Sequence, residues 1–200
     1  MVTRARQTAK LTPKGERTRA RIVDAAARLI AERGVADTTI EDVKAAAAVS
    51  GSQLYHYFAD KAGLVHAVID RQADAIVATQ EGADLGTRAG LRAWRDMVIA
   101  HANRTNGKGG CPLGSLGGQL AESDVEARTH IADGFGRWST ALRDGLRALH
   151  AAGHLAPNIN PDDLAVTLLA VLEGGLLLAQ VQRDTRPLET ALDTLLALAL

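Results

Sequence analysis

The segment from Thr39 to Lys61, TIEDVKAAAAVSGSQLYHYFADK, leaves this chain few options: it reads as two short helices joined by a tight turn. Thr39 caps the first helix, and Asp42 reaches back to the free cap amide in a T-x-x-D variant of the capping box. Ile40, Val43 and the Ala46/Ala47 pair recur at helical spacing and make one apolar face. Ala48-Val49-Ser50 breaks the pattern, with Val49 as an apolar plug between the helices and Ser50 as the next N-cap. In the second helix Leu54 and Phe58 lie four apart and face inward. Gly51, Ser52, Gln53, Tyr55 and His56 are left pointing out. That layout is a helix-turn-helix, a recognition surface rather than a catalytic one.

The net charge of zero, taken alone, argues against nucleic-acid binding, but its distribution points the other way. Residues 1–61 hold 11 Lys/Arg against 7 Asp/Glu, and residues 62–200 hold 12 against 16. A basic first third beside an acidic remainder suits a DNA-reading domain joined to a regulatory one. The expected division is a flexible basic arm over 1–16 (Arg4, Arg6, Lys10, Lys14), a helix-turn-helix domain over 17–61, and a helical effector-binding and dimerisation domain over 62–200. Cys111 is the single cysteine, so no intrachain disulfide forms and a reducing, cytoplasmic setting is expected. No apolar stretch follows the N-terminal cations, so they do not read as a signal peptide. Ala165 to Val181 is strongly apolar but short for a membrane span and carries Glu173, so it reads as a buried helix.

The motif resembles the tetracycline-repressor family of bacterial transcription regulators. The resemblance rests on T-T-I-x-D-V at Thr38 to Val43, V-S at Val49-Ser50, L-Y-H-Y-F-x-x-K-x-x-L from Leu54 to Leu64, and the preceding helix from Thr18 to Gly34. Two positions depart from the family pattern. Ala48 stands where the turn commonly has Gly, which implies a slightly different turn. Gly51-Ser52 stand where a basic residue and Gly are usual, which removes a phosphate-contacting cation. The resemblance implies an all-α homodimer that binds a double-stranded DNA operator and answers to a small-molecule effector.

The rest of the chain has no alternating β pattern and reads as helical throughout. Ile22, Ala25/Ala26 and Leu29/Ile30 form the inner stripe of a first helix ended by Gly34. After Lys61 an amphipathic helix runs through Leu64/Val65, Val68/Ile69 and Ile76/Val77, and Glu81 to Gly90 is loop-like. Leu91, Trp94 and Val98 mark the next helix, which ends before the glycine-rich Asn106 to Gly110. Leu113, Leu116 and Leu120 form a short one behind Pro112. Ile131, Phe135, Trp138, Leu142 and Leu149 describe a long one. Asn160-Pro161-Asp162-Asp163 is a start signal that combines a cap, an N1 proline and first-turn acids. The helix that follows is apolar nearly all round, and the last repeats Leu188, Leu192, Leu195/Leu196 and Leu198. Pairing these two helices across a two-fold axis makes a four-helix interface, so a homodimer is expected.

Tyr55 and His56 can donate to phosphates or touch base edges, and Gln53 can read adenine. Thr39, Ser50, Ser52 and Lys61 are placed to anchor the DNA backbone, with Gly51 on the same face; similar family members use matching positions. Cys111, in Lys108-Gly109-Gly110-Cys111-Pro112-Leu113-Gly114, lies at a helix start where unpaired amides and Lys108 favour a thiolate. G-C-P-L-G resembles a subset of the family, some of whose members sense electrophiles or bind flavonoid- and antibiotic-like molecules. The bland alternative is a small buried residue. Trp94, Met97, His101, Cys111, Phe135, Trp138, Glu173 and Leu177 either line a ligand pocket between helices or pack as core. Gly107 to Gly110 lacks the order of a phosphate-binding loop. His150 and His154 straddle a helix-ending glycine with no third ligand nearby, so no metal site is expected.

The reading is a ligand-responsive transcription regulator, a repressor, that needs no cofactor. Its two recognition helices must sit roughly 34–36 Å apart to meet half-sites on one face of DNA. Two alternatives stand beside it: a thiol sensor or enzyme working through Cys111, and an architectural dimer with no effector. A local catalytic base is missing for the enzyme.

Overall fold

The computed structural model describes residues 11–200, which form nine helices and no strand. In order they are α1 (Pro13–Arg33), α2 (Ile40–Ala47), α3 (Gly51–Tyr57), α4 (Lys61–Glu81), α5 (Arg88–Arg104), α6 (Pro112–Leu120), α7 (Val125–Ala151), α8 (Pro161–Gln182) and α9 (Arg186–Ala199). The contacts divide the chain within α4, between Val68 and Ile69. The basic arm expected over 1–16 is revised at its end. Thr12 caps α1 and Pro13 opens it, so Lys14 is helical, while Arg4, Arg6 and Lys10 lie outside the described residues.

In the first unit α1 packs on α2. Ile22, Val23, Ala26, Ile30, Val43, Ala47, Leu54 and Phe58 are all buried there. Of the expected Ala46/Ala47 pair only Ala47 turns inward; Ala46 is exposed. The Arg21 Nε donates to the Ala47 carbonyl at 2.9 Å, satisfying an orphan acceptor at the end of α2. The Arg19 guanidinium lies 5.2 Å from the centre of the Phe58 ring, a cation–π contact that closes the other side of the motif.

Ala48 ends α2 with φ 49° and ψ 53°, the left-handed conformation that glycine adopts without a steric penalty. The turn therefore keeps the geometry a glycine would give it, and the departure at this position is energetic. Both the Ala48 and Val49 amides close back on α2, the latter to the Lys44 carbonyl at 3.2 Å. Ala48→Gly should stabilise the protein by about 1 kcal/mol by relieving the β-carbon. Urea unfolding followed by circular dichroism measures it, and an unchanged or lower stability contradicts the strain.

In the second unit α8 packs against both α7 and α9, α6 lies on α7, and α5 touches α9. Leu142, Leu146, Leu149, Leu168, Leu172, Leu188 and Leu192 are its most buried leucines together with Leu91 and Leu113. The Asn160 start signal forms as its residues dictate: Oδ1 accepts the Asp162 amide at 2.8 Å and the Asp163 amide at 3.4 Å. The glycine-rich Asn106–Gly110 turn is a close approach to α8, since a β-carbon on Gly107 would collide with the Ala179 carbonyl. Length and composition alone would let α8 cross a membrane. Leu164, Leu168, Leu172 and Ala179 instead bury one face of it within this unit, while Val166, Leu177, Leu178 and Val181 remain exposed.

Candidate nucleic-acid interface

Two consecutive capping boxes build the motif. At α2 the Thr39 Oγ1 accepts the Asp42 amide at 3.2 Å, and Asp42 Oδ2 accepts the Thr39 amide at 3.1 Å. Arg33 reaches the same carboxylate at 2.8 Å. The hydrogen bonds from Thr39 and then the Arg33 charge hold the Asp42 carboxyl below its usual range. At α3 the Ser50 Oγ accepts the Gln53 amide at 3.2 Å, and Gln53 Oε1 accepts the Ser50 amide at 3.0 Å. Reading Ser50 as a simple cap misses this second box, although S-x-x-Q is the signal that carries it.

The second box changes what Gln53 can do. A bidentate contact with adenine needs the amide oxygen and nitrogen together, and the oxygen is already committed. The Gln53 NH2 group keeps its donors. Ser52 is similarly engaged, its Oγ 2.9 Å from that of Ser50. Tyr55, 56% exposed, and His56 stand on the outer face while Leu54 is fully buried beneath them. His56 meets Tyr57 edge to face at 4.9 Å, which fixes its ring on the surface of α3. The Lys61 ammonium donates to the Ala36 carbonyl at 3.2 Å. Thr39, Ser50, Gly51, Ser52, Gln53, Tyr55, His56 and Lys61 thus lie in one unit, half-buried or exposed, with Tyr55 and His56 the bulkiest outward groups.

The residues expected around an effector differ in burial. Trp94 points into the core and donates from Nε1 to Gln80 Oε1 at 2.6 Å, a buried pair that sequence spacing does not reveal. Met97, His101 and Leu177 are exposed. Phe135 stacks on Trp138 with planes 8° apart and centres 6.2 Å apart. Trp138 Nε1 and Glu173 Oε1 are buried without a hydrogen-bond partner. Burial raises the Glu173 carboxyl above its ordinary range.

Cys111 departs from the thiolate expectation. It does cap α6, its sulfur accepting the Gly114 amide at 3.4 Å. It is nevertheless buried, and its charged neighbour is Glu173, while Lys108 is exposed. Burial first and the Glu173 carboxylate second push the thiol up to about 12, against the weaker pull of the amides. A buried, protonated thiol is the smaller, structural reading of this residue.

Comparison with known proteins gives the same two units separate matches. Residues 22–68 match a model of the bacterial regulatory proteins of the tetR family, and residues 87–195 match a tetracyclin repressor-like C-terminal domain. A helix-turn-helix-type transcriptional regulator of Mycobacterium tuberculosis is 32% identical over 175 residues, covering 86% of this chain and 88% of the relative. The helix-turn-helix-type transcriptional repressor DhaR of a Mycobacterium species is 24% identical over 176 residues, covering 86% of each. The crystal structure of a regulatory protein TetR from Rhodobacter sphaeroides superposes with a TM-score of 0.81 at 23% identity, covering 92% of this chain and 99% of that one, and so shares the fold.

Proposed function

The chain belongs to the tetracycline-repressor family of bacterial transcription regulators, and from that premise we propose a homodimeric repressor that a small molecule releases from its double-stranded DNA operator. Its place of work is the cytoplasm, where its DNA is, and it neither catalyses a reaction nor needs a cofactor. One observation carries the DNA-binding half: two capping boxes fix α2 and α3 so that Leu54 is buried and Tyr55 and His56 stand outward. Tyr55 and His56 meet base edges or phosphates, the Gln53 NH2 group donates to acceptors, and Thr39, Ser50, Gly51, Ser52 and Lys61 border the backbone. That DhaR is named a repressor supports repression here.

The exposed Leu177, Leu178, Val181 and Leu198 support a dimer made by α8 and α9. The unpartnered Trp138 Nε1 and Glu173 Oε1 support an effector site in the second unit, because buried polar groups without partners are costly and a ligand could satisfy them. Met97, His101 and Leu177 are left out of that site. The effector acts without covalent chemistry at Cys111, whose thiol is buried and protonated, so the resemblance of G-C-P-L-G to electrophile sensors does not extend to their switch. It favours the DNA-free form only by as much as it binds that form more tightly.

Tyr55→Ala tests the interface. Leu54 below it stays buried, so the fold is retained while operator affinity falls by about 1–3 kcal/mol. The assay is a gel-shift titration at fixed salt with a duplex selected by the wild type from a randomised pool. Equal affinities for variant and wild type would remove Tyr55 from the interface, and failure to select any duplex would remove DNA binding. A thermal-shift screen of small molecules addresses release: an effector raises the melting temperature and lowers operator affinity.

A further inference from the structure

We infer that Lys44, on the first helix of the motif, supplies the phosphate-contacting cation that the recognition helix lacks. The inference rests on the DNA-binding reading above. No Lys or Arg occurs between residues 45 and 60, so α3 brings no permanent positive charge of its own. Affinity for DNA comes largely from cations that neutralise phosphates, so a helix seated in a groove needs one close by.

The geometry provides it from α2. A β-carbon built on Gly51 lies 3.6 Å from both Cε and Nζ of Lys44, so the ammonium sits beside the first turn of α3, within contact distance of where a side chain at 51 would begin. Gly51 leaves that space open. Lys44 is also fixed by its backbone, because its carbonyl accepts the Val49 amide at 3.2 Å within the turn. Any shift of the turn therefore carries Lys44 with it. Lys61, the next cation along the chain, follows α3 at the start of α4 and donates to the Ala36 carbonyl.

In the free protein the Lys44 ammonium pairs with both Glu41 oxygens, at 2.8 and 2.6 Å. The Lys44 side chain is 23% exposed and Glu41 76%, so the carboxylate side of the pair faces water and is weakly held. A phosphate oxygen can take over the ammonium at little cost. Glu41 then acts as a holder that keeps the cation in place and lowers its attraction for DNA.

The experiment measures binding of the full chain to a fluorescent random-sequence duplex from about 50 to 300 mM salt, because a phosphate contact is independent of base sequence. Lys44→Gln should reduce the steepness of log affinity against log salt by about one, and cost about tenfold in affinity at the lowest salt. Glu41→Gln should move affinity the other way. Lys44→Gln combined with Gly51→Lys should regain the lost slope, because the charge returns to the same space. Arg104→Gln, in the other unit, controls for a general charge effect and should leave the slope unchanged. Circular dichroism melts confirm that each variant is folded. A Lys44→Gln protein that is folded and keeps the wild-type slope overturns this assignment alone. A wild type that fails to bind the duplex at any salt overturns the DNA-binding reading and this inference with it.

Discussion

Val181→Glu should split the proposed dimer into folded monomers. Val181 is 73% exposed in the protomer, near the end of α8, and shares that face with Leu177 and Leu178. In a single protomer a carboxylate there stays in water, so folding loses nothing. In a four-helix interface the same carboxylate is buried without a cation and, by two-fold symmetry, is buried twice. An unpaired buried charge costs about 3–5 kcal/mol, enough to weaken association by a factor of roughly 100 or more. Sedimentation velocity at micromolar concentration should show wild-type dimer and variant monomer with the same helical content. A variant that remains dimeric moves the interface away from this end of α8, and a monomeric wild type removes the interface. DNA affinity should fall with the dimer, since one recognition helix no longer brings its partner to the second half-site.

The elements are legible in the sequence because their boundaries are local chemistry. Thr39 with Asp42 and Asn160 with Pro161 carry their start signals in a few adjacent residues, and each cap forms as those residues dictate. The inner faces of α1 and α7 follow from spacing, because a period of 3.6 residues says which side chains share a side. Spacing does not say what that side meets. Trp94 and Met97 sit three apart on α5, yet Trp94 turns to Gln80 in the core while Met97 is exposed. Spacing likewise groups Leu177 with Glu173 on α8, but Leu177 lies on the exposed side of that helix.

The candidate interface is legible in its outline and not in its wiring. Leu54 inward and Tyr55 and His56 outward follow from the helical period alone. That Gln53 turns its oxygen to Ser50 is signalled by S-x-x-Q, but the same side chain in another rotamer could extend to a base. The Lys44–Glu41 pair is visible as an i,i+3 spacing, but its nearness to Gly51 is set by the turn at Ala48. Turn geometry converts distant sequence positions into neighbours, and no periodicity encodes it.

Cys111 in the folded protein should alkylate far more slowly near neutral pH than a free thiol. The thiolate is the attacking species, and moving the thiol from its ordinary 9.0 to about 12 cuts the thiolate fraction by roughly three powers of ten. Burial slows entry of the reagent further. The sign of the pH effect follows from the same shift. The folded state holds the proton more tightly than the unfolded one, so this contribution to stability is fully present below about pH 9 and is lost as pH rises toward 12. Alkaline unfolding should therefore begin at higher pH in Cys111→Ala, which has no thiol to ionise. Mass spectrometry of an iodoacetamide time course beside a gel shift gives the first result, with Cys111→Ser as the unreactive control. Rapid labelling that releases DNA while the protein remains folded would restore the thiol switch and displace the non-covalent effector. Slow labelling that tracks unfolding in urea leaves Cys111 as the cap of α6, beside the Glu173 carboxylate.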